Sequence, residues 1–403
     1  MAERTRTVVM TGATSGIGAY ALAHLMARAG TRAIIGARPS STRPALDGVQ
    51  VLPLDLSSLS AVREFAAAVL ARLDGEPIDM LVLNAGAQFL NTSARSAEGY
   101  ELAFAVNHLA HYLLARLLLP GVAQGGRIVL TTSDTHDPRI FRSAPARLDV
   151  RGWAQAPGSA ASAYAASKLG NLLTAEAIAA LPQTAERQIT TIAYNPGLTA
   201  GTGLSRAFPR PLRLAMSALR PVFRLVSRLR PQLYMNTPEH AGEVLAQLAD
   251  GTLTPPAGRV YASLVRGKLA YPDPSALARD PAAREELWRE SADLTGLPVS
   301  DLPRVPVRRL GGPGYIGSPE PGCPGYRAAC RTRTRRGPRR ARAGWGPPRR
   351  ETAGTGRGAR CGCWPRPGRA RRATAGGCPP LSAGSRRRGW VLARTGTARS
   401  AGA

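Results

Sequence analysis

Cysteine is absent from the first 303 residues. All five (Cys323, Cys330, Cys361, Cys363 and Cys378) lie in the last hundred. Residues 1–303 therefore have no disulfide framework and suit a reducing compartment. Lysine is almost missing as well: of 54 basic residues, only Lys168 and Lys268 are lysines. No uninterrupted apolar run approaches the roughly 18 residues that suggest a membrane span. The first residues, Met1-Ala2-Glu3-Arg4-Thr5-Arg6, have no apolar core or cleavage site of a signal peptide. The expected location is the cytoplasm. No internal repeat is visible.

Acidic side chains give out near the C-terminus. Residues 1–303 hold 30 basic and 24 acidic residues, a net charge of +6. Residues 304–403 hold 24 arginines and 2 acidic residues, a net of +22. The first stretch reads as one globular domain. The second, made largely of Arg, Gly, Pro and Ala, cannot bury enough apolar surface to offset chain ordering and is expected to be disordered. Its arginines would attract phosphate. Yet it has no Lys or His, few aromatics and no zinc-ligand spacing, so nucleic acid is not the expected partner. Its composition also matches a GC-rich gene read out of frame, and both origins stay open.

Within the first 303 residues, strand and helix patterns alternate. Short β-rich runs fall at Arg6–Met10, Ala33–Gly36, Val49–Leu54, Met80–Leu83, Arg127–Thr131, Ile189–Ala193 and Gly258–Leu264. Helical periodicity occupies Ile17–Ala29, Leu59–Leu73, Glu98–Leu119, Ala163–Leu181 and Ala282–Leu294, the last ending at Gly296. The stretch Pro39–Gly48 is too broken for a helix. This alternation predicts an α/β fold, a doubly wound parallel sheet with helices on both faces.

Thr11-Gly12-Ala13-Thr14-Ser15-Gly16-Ile17-Gly18 joins the first strand to the first helix. Glycines there let backbone approach a pyrophosphate, and the helix N-terminus offers free N–H groups. Taken alone, such a turn is equally a tight strand–helix connection. The second strand ends Gly36-Ala37-Arg38, with no acid to accept from the ribose 2′-OH of NAD. Arg38 can instead pair with the 2′-phosphate of NADP, so NADP(H) is expected over NAD(H). The third strand ends at Asp55-Leu56 and the fourth at Asn84-Ala85-Gly86. Both ends fall on the carboxyl edge of the sheet, where open α/β sheets bind ligands, and Asp55 could accept from an adenine amino group.

Tyr164 and Lys168 lie four residues apart and share a helix face. An ammonium beside a phenol favours the phenolate, and a tyrosine tuned this way can move the proton that accompanies hydride transfer. One of only two lysines sits four after a tyrosine in a chain that otherwise uses arginine. Ser133 ends the fifth strand, where its hydroxyl could hold a carbonyl or merely form a turn. Asn107 interrupts a helix, where asparagine is a weak former, and could hold a water or distort the helix locally.

Over residues 5–300 these marks resemble the short-chain dehydrogenase/reductase family, with its Rossmann-type sheet. They comprise the Gly-rich turn, Asp55, Asn84-Ala85-Gly86, Asn107, Ser133, Tyr164, Lys168 and Pro196-Gly197. The resemblance implies that Asn107 positions water, Lys168 binds the nicotinamide ribose, Tyr164 is the acid/base and Ser133 orients the carbonyl. It implies that Pro196, Gly197 and Thr199 border the nicotinamide. Val106-Asn107-His108-Leu109-Ala110-His111 and Leu287-Trp288-Arg289-Glu290-Ser291 are similar to the retinol dehydrogenase and light-dependent protochlorophyllide reductase branch. The gap from Ser133 to Tyr164 is longer than the family's common form, and its insert, Asp134 to Ser162, is expected to shape the substrate entrance.

The expected cofactor set is Gly12, Ser15, Gly16, Ile17, Gly18, Arg38, Asp55, Leu56, Asn84, Ala85, Gly86, Tyr164, Lys168, Pro196, Gly197 and Thr199. The expected catalytic set is Asn107, Ser133, Tyr164 and Lys168. No metal is expected: His108 and His111 are three apart on a helix with nothing to complete a site, and His111 is expected to face solvent or a neighbouring helix. Residues 210–231 carry Leu212, Met216, Leu219, Phe223 and Val226 on one helical stripe, with arginines off it and Pro221 as a break. By family position this is a lid, spanning about 198–235, over a bulky apolar carbonyl or alcohol substrate. Such a basic amphipathic stretch can also touch an anionic membrane surface. The resemblance suggests a homo-oligomer. Two other readings remain: a non-catalytic dinucleotide-sensing module, and a tail that binds nucleic acid.

Overall fold

The run Thr7-Val8-Val9-Met10 is flanked on both sides by further strands, so both of its faces must be covered. In the computed structural model, which describes residues 5–199 and 234–299, it forms β1 (Arg6–Thr11) in the middle of an eight-stranded sheet. The other strands are β2 (Thr31–Ala37), β3 (Val49–Pro53), β4 (Ile78–Leu83), β5 (Val122–Thr131), β6 (Thr190–Asn195), β7 (Tyr261–Val265) and β8 (Lys268–Ala270). Their order is β3-β2-β1-β4-β5-β6-β7-β8, and the first seven pair in parallel. This is the doubly wound sheet the alternation predicts.

Successive β1 side chains serve opposite cores, as the two-residue period requires. Val8 and Met10 pack with Leu22, Leu25, Leu245 and Leu248. These come from α1 (Gly16–Met26) and a helix near the end of the domain, Pro238–Asp250. Val9 packs on the other face with Phe65, Leu113, Leu114 and Leu172. Those belong to α2 (Leu59–Leu73) and to two further helices, Ala110–Leu118 and Ala160–Ala179. In chain order the remaining helices are α3 (Leu102–Phe104), α4 (Ala110–Leu118), α5 (Val150–Gln155), α6 (Ala160–Ala179), α7 (Pro182–Glu186), α8 (Pro238–Asp250) and α9 (Pro281–Thr295).

From β1 the chain winds outward to β3, then returns to β4 on β1's other side. Two neighbouring strands therefore lead away in opposite directions, and a crevice opens beyond their carboxyl ends. Thr11 and Leu83 stand at that point, paired across β1 and β4.

Several boundaries differ from the sequence reading. The helix expected from Glu98 starts at Leu102. Glu98 Oε1 instead accepts from Leu59 N (2.7 Å), so that side chain caps α2. Glu101 caps α3 through Phe104 N at 2.8 Å. Between α3 and α4 lies a π-helical turn, Ala105–Leu109. The run Leu102–Gly121 is long and apolar enough to cross a membrane by length and composition, but most of it is buried within the fold. β8 has no counterpart in the sequence reading. It returns antiparallel along β7 through Arg266 (φ 52°) and Gly267 (φ 73°), two positive-φ residues suited to a tight hairpin. α6 begins at Ala160, capped by Ser159, so Tyr164 sits inside the helix rather than at its start. The lid stretch 210–231 and the tail 304–403 lie outside the described residues.

Candidate active site

The Gly-rich turn leaves no room for a side chain at Gly12 or Gly18. A Cβ on Gly12, which has φ +67°, would lie 2.6 Å from Ala85 Cα. One on Gly18 would lie 2.6 Å from Asn84 Nδ2 and overlap the Gly12 carbonyl. Gly16 also has positive φ, at 58°. Ser15 is the N-cap residue of α1, and its hydroxyl makes no capping bond. Ile17 is buried behind the turn. The N-terminus of α1 thus lies at the crevice without a side-chain cap, as pyrophosphate binding needs.

Asn84 ties the crevice together. Its Nδ2 donates to the Gly12 carbonyl (3.3 Å) and its Oδ1 accepts from Thr131 Oγ1 (3.0 Å). The backbone N–H groups of Asn84 and Ala85 both donate to Thr11 Oγ1, each at 3.1 Å. Further out, Asp55 is exposed, and its carboxylate accepts from Ser57 N and Ser57 Oγ. Those bonds, with the nearby Arg38 charge, hold its carboxyl low against partial burial. Leu56 is partly buried beside it. Arg38 is exposed, and its guanidinium has no hydrogen bond or ion pair among the described residues.

α6 carries Tyr164 and Lys168 on one face, as their spacing predicts. Lys168 is 2 % exposed, and its Nζ lies 5.7 Å from the centre of the Tyr164 ring. That ammonium donates to the Thr131 carbonyl at 3.1 Å, leaving two of its three donors for another group. Burial alone pushes its pKa down to about 8. A Cβ on Gly86 would approach Lys168 Nζ to 3.3 Å and Asn107 Oδ1 to 3.6 Å, so the β4 end, Lys168 and Asn107 meet at one place.

The expectation for the Tyr164 phenol is reversed. A neighbouring ammonium should lower its pKa, but burial pushes it up. The negative charge of Asp134 adds to that rise, and only a hydrogen bond from Ser133 opposes it. Desolvation outweighs a charge held beside the ring. Ser133 stands at the end of β5, where its Oγ donates to Asp134 Oδ1 and accepts from Thr135 N, both at 3.3 Å.

Asn107 lies in the π-helical turn, fully buried. Such turns interrupt the helical ladder at a cost and recur at functional sites. Its amide is used up by protein groups. Oδ1 accepts from Ala87 N (2.8 Å), and Nδ2 donates to the Ala87 carbonyl (2.9 Å) and Ser167 Oγ (3.1 Å). Ser167 in turn donates to the Tyr164 carbonyl at 2.7 Å. Asn107 therefore fastens the chain beyond β4 to the Tyr164 turn of α6.

His111, expected to face solvent or a neighbouring helix, meets β1 instead. It is fully buried between Asn107 and β1. The Asn107 carbonyl can only accept, so His111 Nδ1 is the donor to it at 2.8 Å. Nε2 must then accept from Thr11 Oγ1, at 3.0 Å. Burial pushes the His111 pKa down to about 4, consistent with that neutral tautomer. His108, also buried, pairs through Nε2 with Ser291 Oγ (2.9 Å). Among the described residues no cluster of three or more His, Cys, Asp or Glu is placed to hold a metal ion.

At the other side of the crevice, Gly197 N donates to Asn195 Oδ1 (2.9 Å), and Asn236 Nδ2 donates to the Pro196 carbonyl (3.0 Å). Gly197 has φ +64°, and a Cβ there would lie 2.8 Å from Asn236 Nδ2. Thr199 Oγ1 bonds back to the Pro196 and Gly197 carbonyls. Asn195, Asn236, Thr11, His111 and Asp134 were not singled out from sequence as site residues. Thr11 alone carried a signal, as the last residue of the strand before the glycines.

The glycine cradle, the open helix N-terminus and a buried ammonium with spare donors fit a dinucleotide. Residues 6–144 match the family model described as short chain dehydrogenase. The chain is 35% identical over 309 residues to dehydrogenase/reductase SDR family member 13 of Bos taurus, covering 73% of this chain and 74% of that one. It is 30% identical over 327 residues to the chloroplastic protochlorophyllide reductase of Cucumis sativus, covering 73% and 79%. Among solved structures, an uncharacterized protein from Mycobacterium paratuberculosis superposes with a TM-score of 0.53 at 27% identity, over 74% of this chain and 96% of that one.

Proposed function

Because this chain belongs to the short-chain dehydrogenase/reductase family, on the retinol dehydrogenase and protochlorophyllide reductase branch, and is an NAD(P)-dependent oxidoreductase, we propose the following activity. It interconverts a carbonyl and an alcohol on a bulky apolar substrate, prefers NADP(H), and uses Tyr164 as acid/base. Residues 1–303 form the catalytic domain. The observation that carries the reading is the convergence of Tyr164, Lys168, Ser133 and Asn107 at the carboxyl ends of β4 and β5.

The nicotinamide dinucleotide, when bound, supplies or takes up the hydride. The protein's own groups do the rest. Tyr164 gives its phenolic proton to the carbonyl oxygen in reduction and recovers it in oxidation. Lys168 would present its two unused N–H donors to the nicotinamide ribose. Ser133 donates to the carbonyl oxygen. Asn107 keeps the Ala87 backbone and the Tyr164 turn in register through its three bonds. Thr199, Pro196 and Gly197 would border the nicotinamide ring.

Support for NADP(H) comes from the missing acid at the end of β2 and from Arg38, whose guanidinium has no hydrogen bond or ion pair among the described residues. Support for an apolar substrate comes from relatives named for retinol and protochlorophyllide and from the apolar stripe at 212–226. The test is binding of NADPH and NADH to the full chain, then turnover of a ketone panel by wild type and Tyr164→Phe. Loss of turnover with NADPH binding kept is expected for the variant. Equal turnover by the variant, or tighter NADH binding, would overturn the corresponding part.

A further inference from the structure

Asp134 stands next to the reacting groups, yet the mechanism above gives it no task. It opens the short turn Asp134–His136 directly after Ser133. Its carboxylate is partly buried and pairs with no cation among the described residues. Its Oδ1 accepts from Ser133 Oγ at 3.3 Å. The nearest carboxylate, Asp137, is already bound by Arg139. Two phenols, Tyr164 and Tyr261, lie close enough that the Asp134 charge adds to the burial that holds them protonated. Burial, reinforced by Asp137, pushes Asp134 itself up to about 6 against the Ser133 bond.

A carboxylate that is partly desolvated and lacks a cation is costly. In a cleft lined by catalytic groups, such a residue is a natural partner for a donor on the ligand. Building on the assignment of Tyr164 as acid/base, we propose that Asp134 is a substrate-binding residue that selects carbonyl compounds carrying a hydroxyl next to the reacting carbonyl.

The reasoning follows the single proton of Ser133. In the free protein Ser133 Oγ is within hydrogen-bond reach of both Asp134 Oδ1 (3.3 Å) and the Tyr164 phenol, so Asp134 is one of two groups that hold its proton. A substrate hydroxyl donating to Asp134 replaces the Ser133 bond there, and the Ser133 proton turns to the carbonyl oxygen. The two substrate bonds therefore form together. A plain ketone leaves Ser133 divided between substrate and Asp134. The 3.3 Å between the Ser133 and Asp134 oxygens suits two neighbouring oxygens of one small molecule. The same carboxylate would disfavour a purely apolar group at that point, so Asp134 sharpens the apolar reading. The substrate body is apolar, and one hydroxyl flanks the reactive carbon.

The experiment uses the full chain with NADPH and paired ketones: acetophenone, tetralone and alkyl methyl ketones, each against its α-hydroxy counterpart. Wild type is expected to favour the hydroxy ketone in kcat/KM by roughly 10- to 100-fold, the span of one hydrogen bond to a charged group. Asp134→Ala should bring that ratio toward unity. Asp134→Asn keeps an acceptor oxygen and should keep part of the preference, which also covers the case where the alanine variant misfolds. A wild-type ratio near unity, or a ratio that survives Asp134→Ala, overturns the proposal. A preference for the α-amino ketone that vanishes in Asp134→Asn replaces the hydroxyl with a cation and overturns it too. Tyr164→Phe run on the same pairs separates the two levels. If it silences every pair, the acid/base assignment stands whatever Asp134 does. If it silences none, or if no pair turns over in wild type, both readings fall.

Discussion

Lys168 illustrates how a residue can serve a site and burden the fold. Burial pushes its pKa down to about 8, whereas in the unfolded chain it returns to about 10.4. Between those values the unfolded chain holds the extra proton, so this group favours folding increasingly as pH rises from about 8 to about 10.4; below about pH 8 its full penalty stands. Lys168→Met is therefore expected to stabilise the cofactor-free protein at neutral pH by about 1–3 kcal/mol while abolishing turnover. The Thr131 carbonyl would still accept from Asn171 Nδ2 at 3.1 Å. Urea unfolding of both proteins checks this, and a less stable variant would contradict it. The buried histidines act in the acid range. Burial pushes His108 down to about 3 and His111 to about 4. Unfolded, both titrate near pH 6.5, so their contribution is complete above about pH 6.5 and is lost as pH falls toward about 3–4. Stability at about pH 5 should be lower than at about pH 7 by about 2 kcal/mol per histidine. His111→Gln should remove about 2 kcal/mol of the drop.

At the scale of elements, the nucleotide turn depends on a helix far away in sequence. A Cβ on Gly242 in α8 would lie 2.6 Å from both the Ile17 carbonyl and Tyr20 Cβ of α1. Gly242→Ala should push α1 outward, cost about 1–3 kcal/mol as overpacking does, and weaken NADPH binding because Ile17 belongs to the turn itself. Calorimetry and a binding titration read both effects. An unchanged NADPH affinity would show that α1 can shift without moving its first turn. That contact was not legible in the sequence, because Gly242 is an ordinary glycine in a helical pattern. What was legible carries its signal locally. The Gly-rich turn follows a β-branched strand, and Tyr164 and Lys168 sit four apart. What stayed hidden depends on partners distant in the chain. Glu98 caps a helix 39 residues earlier, and His111 meets Thr11 across 100 residues. β8 is three residues long, too short for any period to show. The π-helical turn left one trace, an asparagine within a helix.

For the whole molecule, charge divides the chain more sharply than anything else in its composition. A protein truncated after residue 303 is expected to bind NADPH within about twofold of the full chain, and any salt-sensitive retention on nucleic acid should go with the tail. Affinity measurements on both forms at low and moderate salt would check this. NADPH binding lost on truncation would show that the last hundred residues contribute to the domain.

The Thr11 hydroxyl is held on every side. It accepts from two consecutive amides and gives its own proton to His111. A hydroxyl so held has no free rotor state. In heavy water, Asn84 and Ala85 should behave as slow clocks, exchanging only when the ends of β1 and β4 part. Acidification that charges His111 would remove the acceptor of the Thr11 proton and make both clocks run fast. Two amide signals would then report on a histidine buried in the core.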